Sequence, residues 1–344
     1  MSMMRKLLTA VTLTLLSFTA KAQTDGLLLK YNFNSVSGSS VLDESGYGNV
    51  TASLNNSASV ETMGSYKVLN LGSSNGYLDL TSAAGDLLKA QDDFTLSMYY
   101  MVDEEADITG AGNFLWTFST SGACDQTTGK YTAYRVNTQR VATSTAGWGS
   151  EVGGEVGAAS TKGVWKHVVY VVDNNTGKLY VDGGLKVTVA DVPANTTNYS
   201  DQTISCCWIG RPAFSGDNYL KNTYVYGISL YNKALSESEI QDLAATTSLL
   251  NYQYERGSVG DNTTLLSAIS EAESLVASAS GQYPAGAIQD YQDIINYAKY
   301  VSTEGFSQKV MDKVVSQLTA ANTQFTAVRG VTFDASAAVT AYDT

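Results

Sequence analysis

An all-β jelly-roll sandwich followed by a small three-helix bundle is the fold class this chain predicts. Two periodicities and one kind of punctuation carry that reading. From Leu27 to about Tyr231 the apolar residues recur with period two, in short runs separated by Gly, Asn, Ser and Asp. After Asn262 they recur in steps of three and four instead. With 344 residues, 44% hydrophobic and 16% charged, the chain is long enough for more than one core and too apolar to be globally disordered.

The first element, Met1 to Ala22, reads as a signal peptide. Arg5 and Lys6 form a basic start, Leu7 to Phe18 a short apolar stretch, and Ala20-Lys21-Ala22 a small-x-small site cleaved after Ala22. The apolar stretch is too short to span a bilayer comfortably, and no later stretch is long and apolar enough to do so. No Cys lies near the cut, so a lipid anchor is not indicated. The expectation is an exported protein, secreted or periplasmic, with no membrane insertion after cleavage.

The sandwich is expected over residues 23–247. Its strands are read at Leu27–Phe33, Tyr66–Leu71, Tyr77–Leu80, Phe94–Val102, Phe114–Ser119 and Tyr131–Asn137. Val164–Asp173, Lys178–Asp182, Leu185–Val189, Ile204–Gly210 and Tyr224–Tyr231 follow. Asp182-Gly183 marks a tight hairpin, and Ser236-Glu237-Ser238-Glu239 is a capping box that opens one short closing helix. Residues 248–261 read as a linker. Residues 262–330 then carry three apolar stripes: Leu265, Ile269, Ala272, Val276; Ala287, Tyr291, Ile294, Ala298, Val301; and Met311, Val314, Leu318, Ala321, Phe325. They are broken at Gly281–Pro284, where Pro284 suits a first helical turn, and around Gly305. Residues 331–344 show no period and read as a linker into a further segment, such as a catalytic domain.

Charge and cysteine content exclude several functions. Acidic residues number 33 against 21 basic, a net charge of −12, deepened by three once the leader with Arg5, Lys6 and Lys21 is removed. Such a surface repels phosphate backbones, so nucleic acid is not an expected partner. Twenty-two Tyr and 4 Trp supply the aromatic surface that β-proteins and sugar-contacting faces use. Cys206 and Cys207 are adjacent, so in a strand they face opposite ways and at most one readily reaches Cys124. Either all three are small buried hydrophobes or one bridge forms. With His167 as the single histidine, a structural zinc site lacks ligands.

The order and spacing of several short pieces carry a family resemblance. They include Leu29-Lys30-Tyr31-Asn32-Phe33, Asp43-Glu44-Ser45-Gly46-Tyr47-Gly48-Asn49, Gly76-Tyr77-Leu78-Asp79-Leu80 and Trp165-Lys166-His167-Val168-Val169-Tyr170. Lys178 to Gly183, Trp208-Ile209-Gly210-Arg211 and Ile228 to Ser236 complete the set. Over about Leu27 to Ala245 the chain resembles a laminin-G-like, concanavalin A-like jelly roll of exported bacterial polysaccharide-utilisation proteins. Through Phe306-Ser307-Gln308-Lys309-Val310-Met311 and Leu318-Thr319-Ala320-Ala321 the helical part resembles FIVAR-type modules. The resemblance implies modules that accompany a catalytic domain acting on polysaccharide.

Three chemistries suit such a fold: glycoside hydrolysis, calcium binding and sugar contact. Glycosidases of the resembling fold set their carboxylates on one strand as E-x-D-x-E; nothing here matches, Glu104-Glu105-Ala106-Asp107 reads as an acidic loop, and Glu151-Val152-Gly153-Gly154-Glu155 reads as too glycine-rich for a rigid strand. His167 lies inside an expected strand, as a packed or edge residue rather than a triad member. No catalytic residue is therefore assigned. The resemblance implies a calcium turn at Asp43, Ser45 and Asn49, but Tyr226 stands where relatives carry the partner Asp, so weak or structural Ca2+ binding, or a plain Asx turn, is expected. For sugar, Trp148 sits in a Gly-flanked loop, and Tyr131, Arg135 and Asn137 share one strand face opposite Tyr134. Phe214–Leu220 adds Tyr219 with Asp217 and Asn218, while Trp116, Trp165 and Trp208 are expected in the core. The function expected is a non-catalytic carbohydrate-binding module. The alternatives are a glycoside hydrolase or polysaccharide lyase with unrecognised catalytic residues, or a protein-adhesion or structural module.

Overall fold

A computed structural model of the chain describes residues 25–120, 129–256, 260–279, 281–283 and 285–330. The expected signal peptide, Cys124, Pro284 and the segment 331–344 lie outside the described residues. The first stretch holds β1 (Leu27–Tyr31), β2 (Val36–Ser37), β3 (Ser40–Leu42), β4 (Thr51–Asn55), β5 (Ser59–Met63) and β6 (Tyr66–Asn70). It continues through β7 (Tyr77–Asp79), helix α1 (Thr81–Lys89), β8 (Phe94–Val102) and β9 (Phe114–Ser119). Next come β10 (Tyr131–Arg135), β11 (Arg140–Ser144), β12 (Glu151–Glu155), β13 (Lys166–Asp173), β14 (Thr176–Val181) and β15 (Gly184–Val189). The short helix α2 (Asn195–Asn198), β16 (Cys206–Ile209), β17 (Thr223–Tyr231) and helix α3 (Glu237–Ala244) close the sandwich. Helices α4 (Thr246–Arg256), α5 (Thr263–Ala277), α6 (Ala285–Thr303) and α7 (Gln308–Ala327) follow. The chain divides into two units near residue 250.

Two antiparallel sheets form the sandwich. The first runs β15-β14-β13-β8-β17-β6-β5, with β1 also paired to β17; the second runs β12-β11-β10-β9-β16-β7-β4-β3-β2. Strands distant in sequence become neighbours, as β10–β9–β16–β7 do, which is how a jelly roll assembles one surface from separate segments. Alternation along each strand sends one set of side chains between the sheets: Leu96, Met98 and Tyr100 from β8, Val168, Tyr170 and Val172 from β13, Cys207 and Ile209 from β16. Trp116 stacks on Tyr134 in that layer, centroids 4.7 Å apart. The Asp182-Gly183 turn has both residues at positive φ, 52° and 78°, as the two-residue hairpin β14–β15 requires.

The outer faces of the two sheets differ. On the first, Leu27, Val169, Val171, Tyr180 and Tyr231 pack under Leu235 and Ile240, so helix α3 covers that face. Its start is the expected capping box: Ser236 accepts from Glu239 N–H, and the Glu239 carboxylate accepts from the Ser236 backbone. The outer face of the second sheet has no such helix among the described residues and is where the candidate site lies.

In the helical unit α5, α6 and α7 bury Leu265, Ile269 and Ala272 against Tyr291, Ile295, Ala298 and Val301, and against Met311, Val314, Leu318, Ala321 and Phe325. The expected stripes therefore meet, with Ile295 rather than Ile294 innermost. Two readings are corrected. Helix α4 occupies residues 246–256, so the first part of the segment expected as a linker is helical. Residues 151–155 form strand β12, paired in register with β11, not a loop.

Candidate functional site

The candidate site is built on β10. Its Tyr131, Ala133 and Arg135 point outward, while Tyr134 points into the main core. Around them Phe114 comes from β9, Arg140 and Ala142 from β11, Glu151 from β12, and Phe214 and Asp217 from the loop after β16. With Trp148 these residues line a cavity of about 320 Å3. That volume is in the range of small-ligand sites.

Its floor and one wall are apolar. Phe114, Tyr131 and Ala133 pack with Phe214, whose ring meets Tyr131 edge-on at 5.7 Å. Trp148 stands at the rim on a single 3-10 turn, with its side chain 71% exposed. Gly147 precedes it at φ 78°, a conformation that needs glycine, and its carbonyl accepts from the Ser144 hydroxyl. The indole is thus presented to solvent by a tethered turn.

The polar wall is an ion-pair network. Arg140 donates to the Glu151 carboxylate from Nε at 3.2 Å and from Nη2 at 2.7 Å, and the Tyr131 hydroxyl donates to the same carboxylate. Burial, then the hydrogen bond and charge of Glu151, push the Tyr131 phenol far above its ordinary range, so it stays a donor. Arg135 donates from Nε to Thr138 at 3.2 Å and lies 3.8 Å from Glu155. Burial pushes the Asp217 carboxyl up, with the charge of Arg135 opposing. Forked donors and carboxylate acceptors alternate beside aromatic faces, an arrangement that suits a polyhydroxylated ligand.

A second cluster lies on the same outer face. Trp208, opposite Thr117 on β9 and Asp79 on β7, turns outward rather than into the core, with Cys206 and Tyr77 beside it. It is buried, as expected, but under Arg211, whose guanidinium carbon sits 3.7 Å from the Trp208 ring centroid. Tyr77 is 4.8 Å and Tyr219 5.8 Å from the same carbon. Tyr219 therefore belongs to this cluster and not to the cavity lining. Cys206 is disulfide-bonded, whereas Cys207, on the core side, is a buried free thiol.

Asn137 does not join the site. Strand β10 ends at Arg135, so alternation stops; Val136 enters the core and Asn137 donates to the Gly110 carbonyl at 2.7 Å. Asn218 is likewise spent, its backbone paired with Ala111 and Asn113. His167 is fully buried, stacked on Tyr99 at 4.4 Å with Nε2 2.9 Å from the Ser97 hydroxyl, far from any nucleophile role.

Asp43, Ser45 and Asn49 form an Asx turn whose donors occupy the carboxylate. Asp43 accepts from the backbone N–H of Lys30 at 2.9 Å and of Ser45 at 2.8 Å, and from the Ser45 hydroxyl at 2.7 Å. The Ser45 oxygen in turn accepts from Tyr47 N–H at 3.0 Å, and Asn49 donates its amide to the Tyr47 carbonyl at 3.3 Å. This set does not fit a calcium cage, because its oxygens face N–H and O–H protons instead of a common point. Asp43→Ala should destabilise the sandwich by about 1–3 kcal/mol, the cost of stranding the N–H and O–H donors that give to its carboxylate. Thermal unfolding in calcium and in chelator should show the same loss; a difference confined to calcium would restore the metal site.

Residues 72–241 match the concanavalin A-like lectin/glucanases superfamily. The match spans most of the sandwich and just under half of the chain. Among solved structures, domain 4 of AbnA, an extracellular arabinanase from Geobacillus stearothermophilus in complex with arabinotriose, is 16% identical, with 63% of this chain and 98% of that chain covered and a TM-score of 0.49. Trypanosoma rangeli sialidase is 21% identical, over 65% of this chain and 33% of that one, with a TM-score of 0.48. The binding domain of Paraclostridial Mosquitocidal Protein 1 is 15% identical, over 65% and 52%, with a TM-score of 0.47. No curated protein matches. No helix among the described residues is long and apolar enough to cross a membrane.

Proposed function

We propose that the sandwich is a non-catalytic glycan-binding module of an exported polysaccharide-processing protein, with the helical unit as a FIVAR-type spacer. One observation carries the reading: an exposed indole, Trp148, stands over a cavity whose walls alternate aromatic faces with the charged groups of Arg135, Arg140, Glu151 and Asp217. A pyranose offers apolar C–H patches for the indole and hydroxyls for the forks and carboxylates. The lectin/glucanase match supports the same class of ligand. The leader at Met1 to Ala22 supports export.

The test is a glycan array probed with the mature chain and with Trp148→Ala. Losing one stacking aromatic costs about 1–3 kcal/mol, so affinity should fall roughly tenfold with the Tm nearly unchanged. Early unfolding with normal binding would place the platform elsewhere. One observation favours a hydrolase instead: Asp217, its carboxyl pushed up by burial, faces the same cavity as the arginine-paired Glu151. Release of reducing sugar by the purified chain, lost in Asp217→Asn, would overturn the non-catalytic reading.

A further inference from the structure

We propose that Arg211 is a second subsite on the same sheet face and that it takes an anionic group, a carboxylate or a sulfate ester, carried by the glycan. This rests on the glycan reading above. The guanidinium carbon lies 3.7 Å from the Trp208 ring centroid, the separation of a stacked pair, with Tyr77 at 4.8 Å and Tyr219 at 5.8 Å. Stacking uses the face of the group and leaves its N–H donors in the plane, where they match the two oxygens of a carboxylate or sulfate.

Those donors are unspent. Among the described residues no carboxylate, carbonyl or hydroxyl accepts from the Arg211 side chain. Arg135 and Arg140 contrast with it, since Thr138, Glu155 and Glu151 take part of their donor sets. In a chain with 33 acids against 21 bases, a positioned cation with no anionic partner among the described residues is a place where an external anion gains rather than suffers from the local charge.

The position is fixed by the backbone. Gly210, at φ 89°, turns the chain out of β16; its N–H donates to the Leu115 carbonyl and its own carbonyl accepts from Leu220 N–H, closing the loop. The Thr117 hydroxyl holds the Arg211 carbonyl at 3.0 Å. Across the sheet Ala133 pairs with Thr117 and Thr117 with Trp208, so the cluster lies two strands from the β10 floor of the cavity, about 10 Å away at the usual spacing. The outward side chains between, Thr117 and Ala133, are buried beneath the Arg211 carbonyl and Phe214, so a glycan reaching from Trp148 to Arg211 crosses over that loop.

The experiment uses an array of oligogalacturonates and sulfated galactan oligosaccharides, each beside its carboxyl-reduced or desulfated form. Three proteins are compared: the unmodified chain, Arg211→Ala and Arg211→Lys. The unmodified chain should prefer an acidic member over its neutral form by tenfold or more, and the preferred pair separates carboxylate from sulfate. Arg211→Ala should abolish that preference, weakening acidic binding by about tenfold to a hundredfold, the range for a hydrogen bond to a charged group. Neutral binding should be unchanged, and Arg211→Lys should fall between, since it keeps the charge without the fork. A preference that survives Arg211→Ala, or neutral glycans bound as well as acidic ones, overturns this subsite while Trp148-dependent binding leaves the glycan reading intact. No binding to any member overturns both.

Discussion

Phe325→Ala should unfold the helical unit many degrees early while leaving the sandwich transition in place. Phe325 is almost fully buried in α7, with its ring stacked 4.2 Å from Tyr283 at 7° and 4.5 Å from Tyr291 at 19°. It joins the end of α7 to the first half of α6 and to the turn before α6. Truncating such a ring removes its transfer energy and leaves a void, together about 3–5 kcal/mol. A unit of this size has a total stability of about 4–10 kcal/mol, so the variant loses much of it. For so small a domain each kcal/mol moves the midpoint by about 4–8 °C, which predicts a shift on the order of 15 °C or more. Calorimetry with far-UV circular dichroism should resolve the displaced helical transition. An unmoved transition would mean that the three rings do not hold the bundle.

How much of this was legible in the sequence depended on what each residue had to signal. Strands β8 and β9 are apolar, alternate cleanly and were read with their observed ends, and the α3 capping box needs only four consecutive residues. Strands β2, β3 and β4 carry no such signal, because they are two to five residues long, each contains Ser, and their composition resembles that of turns. In β12 the glycines signal flexibility to a sequence reading, yet they serve close approach. A Cβ on Gly153 would come within 2.5 Å of the Val141 carbonyl, and one on Gly154 within 2.5 Å of a Val187 methyl.

The site divides in the same way. Tyr131, Arg135 and Trp148 could be proposed from local spacing, because strand alternation and a Gly-flanked loop are local facts. Phe114, Arg140 and Glu151 reach the cavity through strand register, and Phe214 through the loop after β16, neither of which a short window carries. Trp208 was hidden for a different reason. In Cys206-Cys207-Trp208-Ile209 both faces of the strand are apolar, so alternation alone could not say which face is the core. The outward face became apolar because Arg211 and two tyrosines cover it, and that cover is also what makes it a candidate surface.

His167 should make the sandwich lose stability in acid with the slope of one extra proton, and His167→Phe should remove that slope. The imidazole is fully buried between β8 and its neighbours, stacked on Tyr99, with Nε2 on the Ser97 hydroxyl and Nδ1 without a hydrogen-bond partner. Burial pushes its pKa down to about 3. An unfolded histidine titrates near 6.5, so between those values the unfolded chain binds a proton that the folded chain refuses. Stability from this group is therefore full above pH 6.5 and falls as pH drops toward 3. The limiting slope is about 1.4 kcal/mol per pH unit, summing to several kcal/mol. Carboxylates held below their ordinary range, such as Glu239 by the Ser236 backbone and Lys233, add their own acid loss at lower pH. Phenylalanine keeps the stack on Tyr99 but cannot take a proton, at the cost of stranding the Ser97 hydroxyl. Urea unfolding from pH 7 to pH 4 should thus start lower for His167→Phe and decline less steeply than for the unmodified chain. Parallel declines would show that the histidine accepts its proton inside the folded sandwich, and that its surroundings are wetter than the packing of Tyr99 and Ser97 allows.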